Sequence, residues 1–206
     1  MADADVRAEY AALNEHYERR WRRYLAATIA HTLGALAPRP GKRILDVGCG
    51  TGLALARLGE TATDLRLVGV DLSPEMLARA RSRLPASVSL AHADARRLPF
   101  AAAQFDAVIT SSALHYLDDP APALFEAARV LAPGGRLIVT DWCRDFFVMF
   151  LCEHWLRIRK RPLGRVLRAR ELTALVEDAG LRVDSVTRFR AGPAWGLMTL
   201  AATRRI

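Results

Sequence analysis

Residues 44–52 read ILDVGCGTG and place three glycines, Gly48, Gly50 and Gly52, directly after a short apolar run. An apolar run of this length that ends in glycine is typical of a buried strand. Glycine permits left-handed backbone angles and removes the Cβ that would keep a ligand away from the chain. Since ligands bind beyond the carboxyl ends of the strands in an open parallel sheet, the stretch predicts a small ligand against this backbone.

The sequence on either side alternates between strand-like and helix-like segments. Strands are predicted at 43–48, 66–71, within 87–94, at 105–111 and at 136–142, with helices between them. Segments 181–190 and 195–204 predict two further strands that pair in antiparallel fashion at a sheet edge. Strands that are apolar on both faces and separated by helices form parallel sheets with both faces covered. We therefore predict an α/β fold, an open Rossmann-like sheet of about seven strands.

The composition is that of a soluble globular protein, with 51% apolar residues and a net charge of +8. The first ten residues, MADADVRAEY, are acidic and polar, unlike a signal peptide. The three cysteines, Cys49, Cys143 and Cys152, are odd in number and lack a C-x-x-C spacing, so we expect a cytoplasmic protein without a disulfide framework or metal site. The arginine-rich stretch 157–170 indicates either an anionic partner or a solvated helix end.

Carboxylates at the ends of the next two predicted strands restrict the class of ligand that the site could bind. The glycine spacing is G-x-G-x-G, with Leu53 where the dinucleotide fingerprint needs a third glycine. Asp71 ends the second strand, where a carboxylate accepts hydrogen bonds from ribose hydroxyls. Asp94 follows the third strand, within reach of an adenine amino group. Together these residues predict a pocket for an adenosine that carries no pyrophosphate.

Five stretches in order resemble the motifs of class I S-adenosylmethionine-dependent methyltransferases, and are most similar to the small-molecule and quinone-type enzymes of bacteria. They are ILDVGCGTG, VGVDLSPEML, AHADARRLPF, FDAVITSSALHYLDDP and RVLAPGGRLIVTDW, between residues 43 and 142. The resemblance implies strand order 3-2-1-4-5-7-6 with strand 7 antiparallel, and S-adenosylmethionine as cofactor. It also implies cofactor contacts from Tyr17, Asp46, Gly48, Gly50, Asp71, Leu72, Met76, Asp94, Ala95 and Ser111.

Within this resemblance, we expect one domain in four parts. Residues 1–40 would form a helical cap, 41–142 the cofactor-binding core, 143–180 a helical insertion over the substrate side, and 181–206 the terminal hairpin.

Two residues are candidates for acid–base catalysis. His115 follows the fourth strand and could accept a proton from a hydroxyl or amine, or could be a packing residue near the cofactor. Asp141 ends the fifth strand and could be the base, or could cap the helix that follows. A base is needed only where the acceptor must lose a proton.

The segment 146–160 is the best indication of the acceptor. At helical spacing, Phe147, Phe150 and His154 share an apolar face that could cover the substrate side or could pack as ordinary core. As a substrate-side cover, this face predicts a small acceptor with an apolar or aromatic body, methylated by in-line displacement.

Four alternatives stay open. The arginine content allows a nucleic-acid methyltransferase acting on ribose or a ring carbon, although the segment after the fourth strand, SSAL, lacks the Asn/Asp-Pro-Pro-Tyr/Phe stretch of amino-methylating enzymes. The 146–160 helix allows an enzyme that acts on a quinone or lipid at a membrane surface. A module that binds the cofactor without catalysis, or a thiol or metalloid acceptor handled by Cys143 and Cys152, is also open.

Overall fold

A computed structural model describes residues 17–159, 163–193 and 195–205, with side chains from residue 21 onward. The helices are α1 (Tyr17–Leu36), α2 (Leu53–Thr61), α3 (Pro74–Arg83), α4 (Ala121–Val130), α5 (Phe147–Ile158) and α6 (Ala169–Asp178), with a 3₁₀ turn at Leu114–Tyr116. The strands are β1 (Arg43–Val47), β2 (Arg66–Asp71), β3 (Ser89–His92), β4 (Phe105–Ser111), β5 (Leu131–Trp142), β6 (Leu181–Ala191) and β7 (Trp195–Arg204).

The seven strands form one sheet in the order β3-β2-β1-β4-β5-β7-β6. Strands β1 to β5 are parallel, whereas β7 runs antiparallel to both β5 and β6. The predicted Rossmann-like order is therefore confirmed. The carboxyl ends of β1, β2 and β4 meet at the middle of one sheet edge, and the glycine-rich loop lies at that edge.

The central strands β1, β4, β5 and β7 are largely buried on both faces, as their continuous apolar stretches predict. Neighbouring residues of β4 show this directly, because Val108 packs into the core on one side and Ile109 into the core on the other. Helices α1, α2 and α3 cover the side of Ile109, and α4 and α6 cover the side of Val108. Edge strand β6 is mostly exposed and carries Arg182, Arg188 and Arg190, charges that discourage pairing with another edge.

Helix α3 begins with a serine N-cap followed by proline. The hydroxyl of Ser73 accepts a hydrogen bond from the Met76 N–H at 3.2 Å, and Pro74 occupies the first helical position. This cap fixes the turn between β2 and α3, which carries Asp71 into the site described below.

The segment 143–180 forms two helices with different surroundings. Helix α6 buries Leu172 and Val176 in the core beside the sheet, so it is a covering helix of the sheet. Helix α5 packs mainly against β7 and buries only Met149 and Glu153. The placement of segment 143–180 over the substrate side stays a prediction.

Candidate active site

A cavity of about 190 Å³ opens beyond the carboxyl ends of β1, β2 and β4. Nine of the predicted cofactor residues line it: Asp46, Gly48, Gly50, Asp71, Leu72, Met76, Asp94, Ala95 and Ser111. Helix α1 adds Leu25, Thr28 and Ile29 to the wall. The tenth predicted residue, Tyr17, begins α1, and its side chain lies outside the described residues.

The glycine loop has the backbone that its composition predicts. Gly48 and Gly50 have φ angles of +75° and +53°, which side-chain-bearing residues rarely adopt. A Cβ on Gly48 would also approach the Ala113 Cβ to 2.7 Å. Glycine is therefore required at position 48 by both conformation and space, and the exposed backbone of the loop forms one wall of the cavity.

Asp71 is held between the loop and α3. Its Oδ2 accepts a hydrogen bond from the Gly50 N–H at 2.7 Å, and its Oδ1 accepts one from the Ser73 N–H at 2.9 Å. Burial, the largest influence, raises the pKa of the Asp71 carboxyl, although these backbone donors act in the opposite direction. A carboxylate oxygen accepts more than one hydrogen bond, so Asp71, which lines the cavity, is a candidate acceptor for ribose hydroxyls.

Asp46 is a second carboxyl group in the cavity wall. Burial, followed by the nearby charge of Asp71, raises its pKa to about 7. Two carboxyl groups in a poorly solvated pocket favour a positively charged ligand, because a cation would offset their mutual repulsion. The two carboxyl groups therefore favour a ligand that carries a positive charge.

Polar side chains at the end of β4 face the same cavity. Among the described residues, Thr110 Oγ1 is buried without a hydrogen-bond partner, and Thr110 lines the cavity. Ser112 has a φ of +57°, unusual for a residue other than glycine, and its hydroxyl lies 2.6 Å from the Tyr24 hydroxyl. The Trp142 Nε1–H donates to the same Tyr24 oxygen at 2.9 Å. A hydrogen-bonded chain thus ties α1 to the ends of β4 and β5.

Sequence reasoning missed these polar contacts. Ser112 and Thr110 could have been found, since both flank Ser111 at the end of β4. Tyr24 had no such signal, because its partners Ser112 and Trp142 lie 88 and 118 residues away in sequence.

Asp94 lines the cavity with its carboxylate already paired. The Arg96 guanidinium donates to it from Nε at 3.0 Å and from Nη2 at 2.7 Å, and the Arg96 backbone N–H donates at 2.8 Å. No sequence motif indicated this pairing. It orients the carboxylate at the cavity wall.

His115 and Asp141 form a buried pair outside the cavity lining. The His115 Nδ1 lies 2.6 Å from Asp141 Oδ1, and Asp141 Oδ2 accepts from the Leu114 N–H at 2.8 Å. The His115 ring also stacks on Trp142, with ring centroids 4.1 Å apart. A catalytic role for either residue stays a prediction, and in the structure the Asp141 carboxylate contacts both the His115 imidazole and the backbone of the 3₁₀ turn.

The predicted substrate residues Phe147, Phe150 and His154 are also outside the cavity lining, on the exposed side of α5. The helix turns Glu153 inward instead, where it pairs with Arg144 at 3.1 Å and Arg157 at 3.0 Å. Their contact with a methyl acceptor stays a prediction.

Aromatic rings near the cavity come from other elements. Tyr24, Trp142 and Trp195 pack together with Trp21, with centroid separations of 5.1–6.0 Å. Tyr116, on the 3₁₀ turn, lines the cavity itself. We call Trp21, Tyr24, Trp142 and Trp195 the aromatic cluster.

The structure also bears on the alternatives. Burial raises the pKa of the Cys143 thiol to about 11 and also raises that of Cys152, which disfavours a reactive thiolate at either position. The arginine-rich stretch is divided between elements, and Arg165 pairs with Glu171 at 3.2 Å. Lys160 and Arg161 of that stretch lie outside the described residues. No helix in the described ranges is long and apolar enough to cross a bilayer.

Comparison with known proteins agrees with this geometry. Residues 45–139 match the family described as "Methyltransferase domain". The chain is 38% identical over 169 residues to demethylmenaquinone methyltransferase of Beutenbergia cavernae, covering 79% of this chain and 66% of that one. It is 39% identical over 181 residues to 27-O-demethylrifamycin SV methyltransferase of Amycolatopsis mediterranei, covering 83% and 65%. The chain thus spans just under two thirds of the length of these relatives.

Among solved structures, the fold matches a methyltransferase in complex with the Haloferax volcanii Trm112 methyltransferase activator. The TM-score is 0.78 and the identity 24%, over 100% of this chain and 98% of that chain. The sequence match, the strand order and the glycine-rich cavity lead to one conclusion: the chain belongs to the class I S-adenosylmethionine-dependent methyltransferases.

Proposed function

We propose that this protein transfers a methyl group from S-adenosylmethionine to a small acceptor with an apolar or aromatic body. The observation that carries the proposal is the Asp71 carboxylate, fixed by the Gly50 and Ser73 N–H groups in a cavity at the strand ends. Asp46 adds a negative charge suited to a sulfonium, and Thr110 Oγ1 supplies a polar atom without a partner among the described residues.

The residues present fit this cofactor. Asp71 would hold the ribose, Leu72 and Met76 would flank the adenine, and Asp94 with the Ala95 backbone would meet the adenine edge. Asp46, Gly48, Gly50 and Ser111 would contact the methionine part. When bound, S-adenosylmethionine supplies a methyl group on a sulfonium, which is already activated for displacement.

The protein's own contribution is then mainly positioning and exclusion of water. Leu25 and Ile29 of α1 form an apolar wall of the cavity, and the Tyr24–Ser112 hydrogen bond holds that helix against β4. Orientation of two reactants can lower a barrier by ~7–11 kcal/mol, so the chemistry does not require a strong base. We assign His115 and Asp141 a positioning role, in which they hold the 3₁₀ turn that carries Tyr116 into the cavity wall.

The aromatic cluster supports an acceptor with an apolar or aromatic body. Trp142 and Trp195 lie at adjacent strand ends, and Tyr24 reaches Ser112 in the cavity wall. Aromatic faces stabilise both flat rings and cations. The acceptors named for the two relatives, demethylmenaquinone and 27-O-demethylrifamycin SV, are small molecules rather than nucleic acids.

The test is transfer of a deuterium-labelled methyl group to a panel of phenols, hydroquinones, alkyl alcohols, RNA and DNA, followed by mass spectrometry. We expect label in a phenol or hydroquinone with the parent protein. Asp71→Asn should lose transfer, while Asp178→Asn, an exposed carboxylate at the end of α6, should retain it. Label found in nucleic acid alone, or equal transfer by both variants, would contradict the proposal.

A further inference from the structure

Helix α5 carries an unusual concentration of exposed apolar side chains. Seven large apolar residues are exposed in the described part of the chain, and five of them belong to this one helix. The five are Phe147, Phe150, Leu151, Trp155 and Ile158, each between 44% and 72% exposed. We call them the α5 apolar face. Soluble monomers rarely leave so many large apolar groups together in water, so this surface indicates a binding partner.

The ion pairs of Glu153 explain why this face points outward. Glu153 is the only acidic residue of α5, and it is buried against Arg144 and Arg157. Because a buried carboxylate needs such partners, the helix is fixed with Glu153 and Met149 inward. The outward side of α5 therefore carries no acidic residue.

Arginine side chains border the α5 apolar face. The Arg159 guanidinium lies 5.2 Å from the centre of the Trp155 ring, and the Arg144 guanidinium lies 5.7 Å from that of Phe150. The net charge of the chain is +8. An apolar surface bordered by cations, with no exposed acid on the helix, is complementary to an anionic headgroup layer above acyl chains.

The dimensions of α5 indicate how it would meet a bilayer. Its 12 residues extend about 18 Å at 1.5 Å per residue, well short of the ~30 Å hydrocarbon core. A helix of this kind lies in the plane of the interface with its apolar side down, rather than across the membrane.

The chain that follows α5 contacts the cavity wall. The Gly164 N–H donates to the His115 carbonyl at 2.9 Å, and the Arg165 N–H donates to the Leu117 carbonyl at 2.9 Å. Leu117 lines the cavity, and α5 itself starts just beyond the carboxyl end of β5. A surface bound by α5 would therefore lie at the edge of the sheet that holds the active-site cavity.

We propose that the α5 apolar face docks this protein on an anionic lipid bilayer surface, with α5 parallel to the membrane plane. Apolar insertion supplies the attachment, and Arg159, together with the net charge of +8, selects anionic lipid. The proposal concerns membrane binding alone, so it stands or falls independently of the methyl acceptor.

The test is flotation of the full chain, without cofactor or acceptor, on phosphatidylcholine vesicles with and without phosphatidylglycerol. We expect flotation with the phosphatidylglycerol vesicles, and a loss of more than tenfold in partition for the double variant Leu151→Ser/Trp155→Ser. Phe125→Ser removes a similarly exposed apolar side chain from α4 and should bind as the parent does. Arg159→Gln should weaken partition about fivefold.

Three results would overturn the proposal. They are partition of the double variant equal to that of Phe125→Ser, equal flotation on both vesicle types, and no flotation at all. If the parent protein does not float and light scattering shows that it is a dimer while the double variant is a monomer, the α5 apolar face binds a second copy of the chain instead. Calorimetry with S-adenosylmethionine and circular dichroism check that each variant folds. If the double variant does not fold, Ile158→Ser is tested in its place.

Discussion

At the scale of single residues, the Asp71 carboxylate is the group on which cofactor binding depends most. Its two backbone hydrogen bonds fix its direction, so a ligand gains an acceptor without ordering a side chain. Asp71→Asn replaces one carboxylate oxygen with an amide NH₂ group, which would then face the N–H of either Gly50 or Ser73. We expect at least a tenfold loss of S-adenosylmethionine affinity in calorimetry, since a hydrogen bond to a charged group contributes about 1.5–3 kcal/mol. Unchanged affinity would show that the ribose lies elsewhere.

Because folding raises the pKa of the Asp46 carboxyl, we expect the stability of the protein to depend on pH. Its pKa is about 7 in the folded state and ~3.9 in an unfolded chain, so between these values the folded state binds the extra proton. Stability therefore falls as pH rises from about 4 to about 7, by roughly 1 kcal/mol for each pH unit. Asp46→Asn should be more stable than the parent at pH 8 by at least about 1 kcal/mol, or roughly 2–4 °C.

Denaturation of both proteins between pH 5 and pH 8 checks this expectation. The advantage of Asp46→Asn should shrink as the pH falls, while its affinity for S-adenosylmethionine should be lower than that of the parent at pH 8. A constant difference in stability over this range would mean that Asp46 titrates normally.

At the scale of elements, the start of α2 depends on Gly52. Its φ is +76°, and a Cβ there would lie 2.7 Å from Leu84 Cδ1 and 3.1 Å from Ala80 Cβ. Gly52→Ala should lower the free energy of unfolding by about 1–3 kcal/mol through strain and overpacking. Gly59→Ala, in the same helix, meets nothing closer than 4.0 Å and should stabilise by about 0.5–1 kcal/mol. Urea denaturation of the pair should therefore show opposite signs, and equal effects would contradict the account of the loop.

The packing of α1 on the sheet depends on the Tyr24 hydroxyl. Tyr24→Phe removes its bond to Ser112 and leaves the Trp142 indole N–H unpaired, at a cost of about 1–3 kcal/mol. Because α1 lines the cavity, we also expect weaker S-adenosylmethionine binding. Thermal denaturation with and without the cofactor measures both effects, and a variant identical to the parent in both would remove Tyr24 from the site.

Elements also show why part of the site was predictable. The glycine loop, Asp71 and Asp94 follow strands directly, and parallel strands bring their carboxyl ends to one edge whatever the packing. The orientation of α5 was not predictable in this way, because periodicity distinguishes two faces of a helix without saying which is buried. The buried face is the one that carries Glu153, which forms an ion pair with Arg144, a residue outside the helix. The Tyr24–Ser112 contact likewise depends on tertiary packing.

At the scale of the whole molecule, strand order followed from the family resemblance and from the antiparallel final pair, and the structure confirms it. The pairing of His115 with Asp141 was not predictable, because the Asp141 carboxylate also accepts hydrogen bonds from backbone N–H groups, which no sequence pattern encodes. The residues that line the cavity come from elements between α1 and the 3₁₀ turn. Cofactor binding should therefore be lost when most of the fold is disrupted.

The central claim is that the ends of the first parallel strands form a site for S-adenosylmethionine. The most direct measurement is a calorimetric titration of the parent protein with S-adenosylmethionine and, separately, with NAD. Our account predicts saturable heat at one site per chain with the sulfonium nucleoside and none with the dinucleotide. Saturation by NAD without a response to S-adenosylmethionine would contradict it.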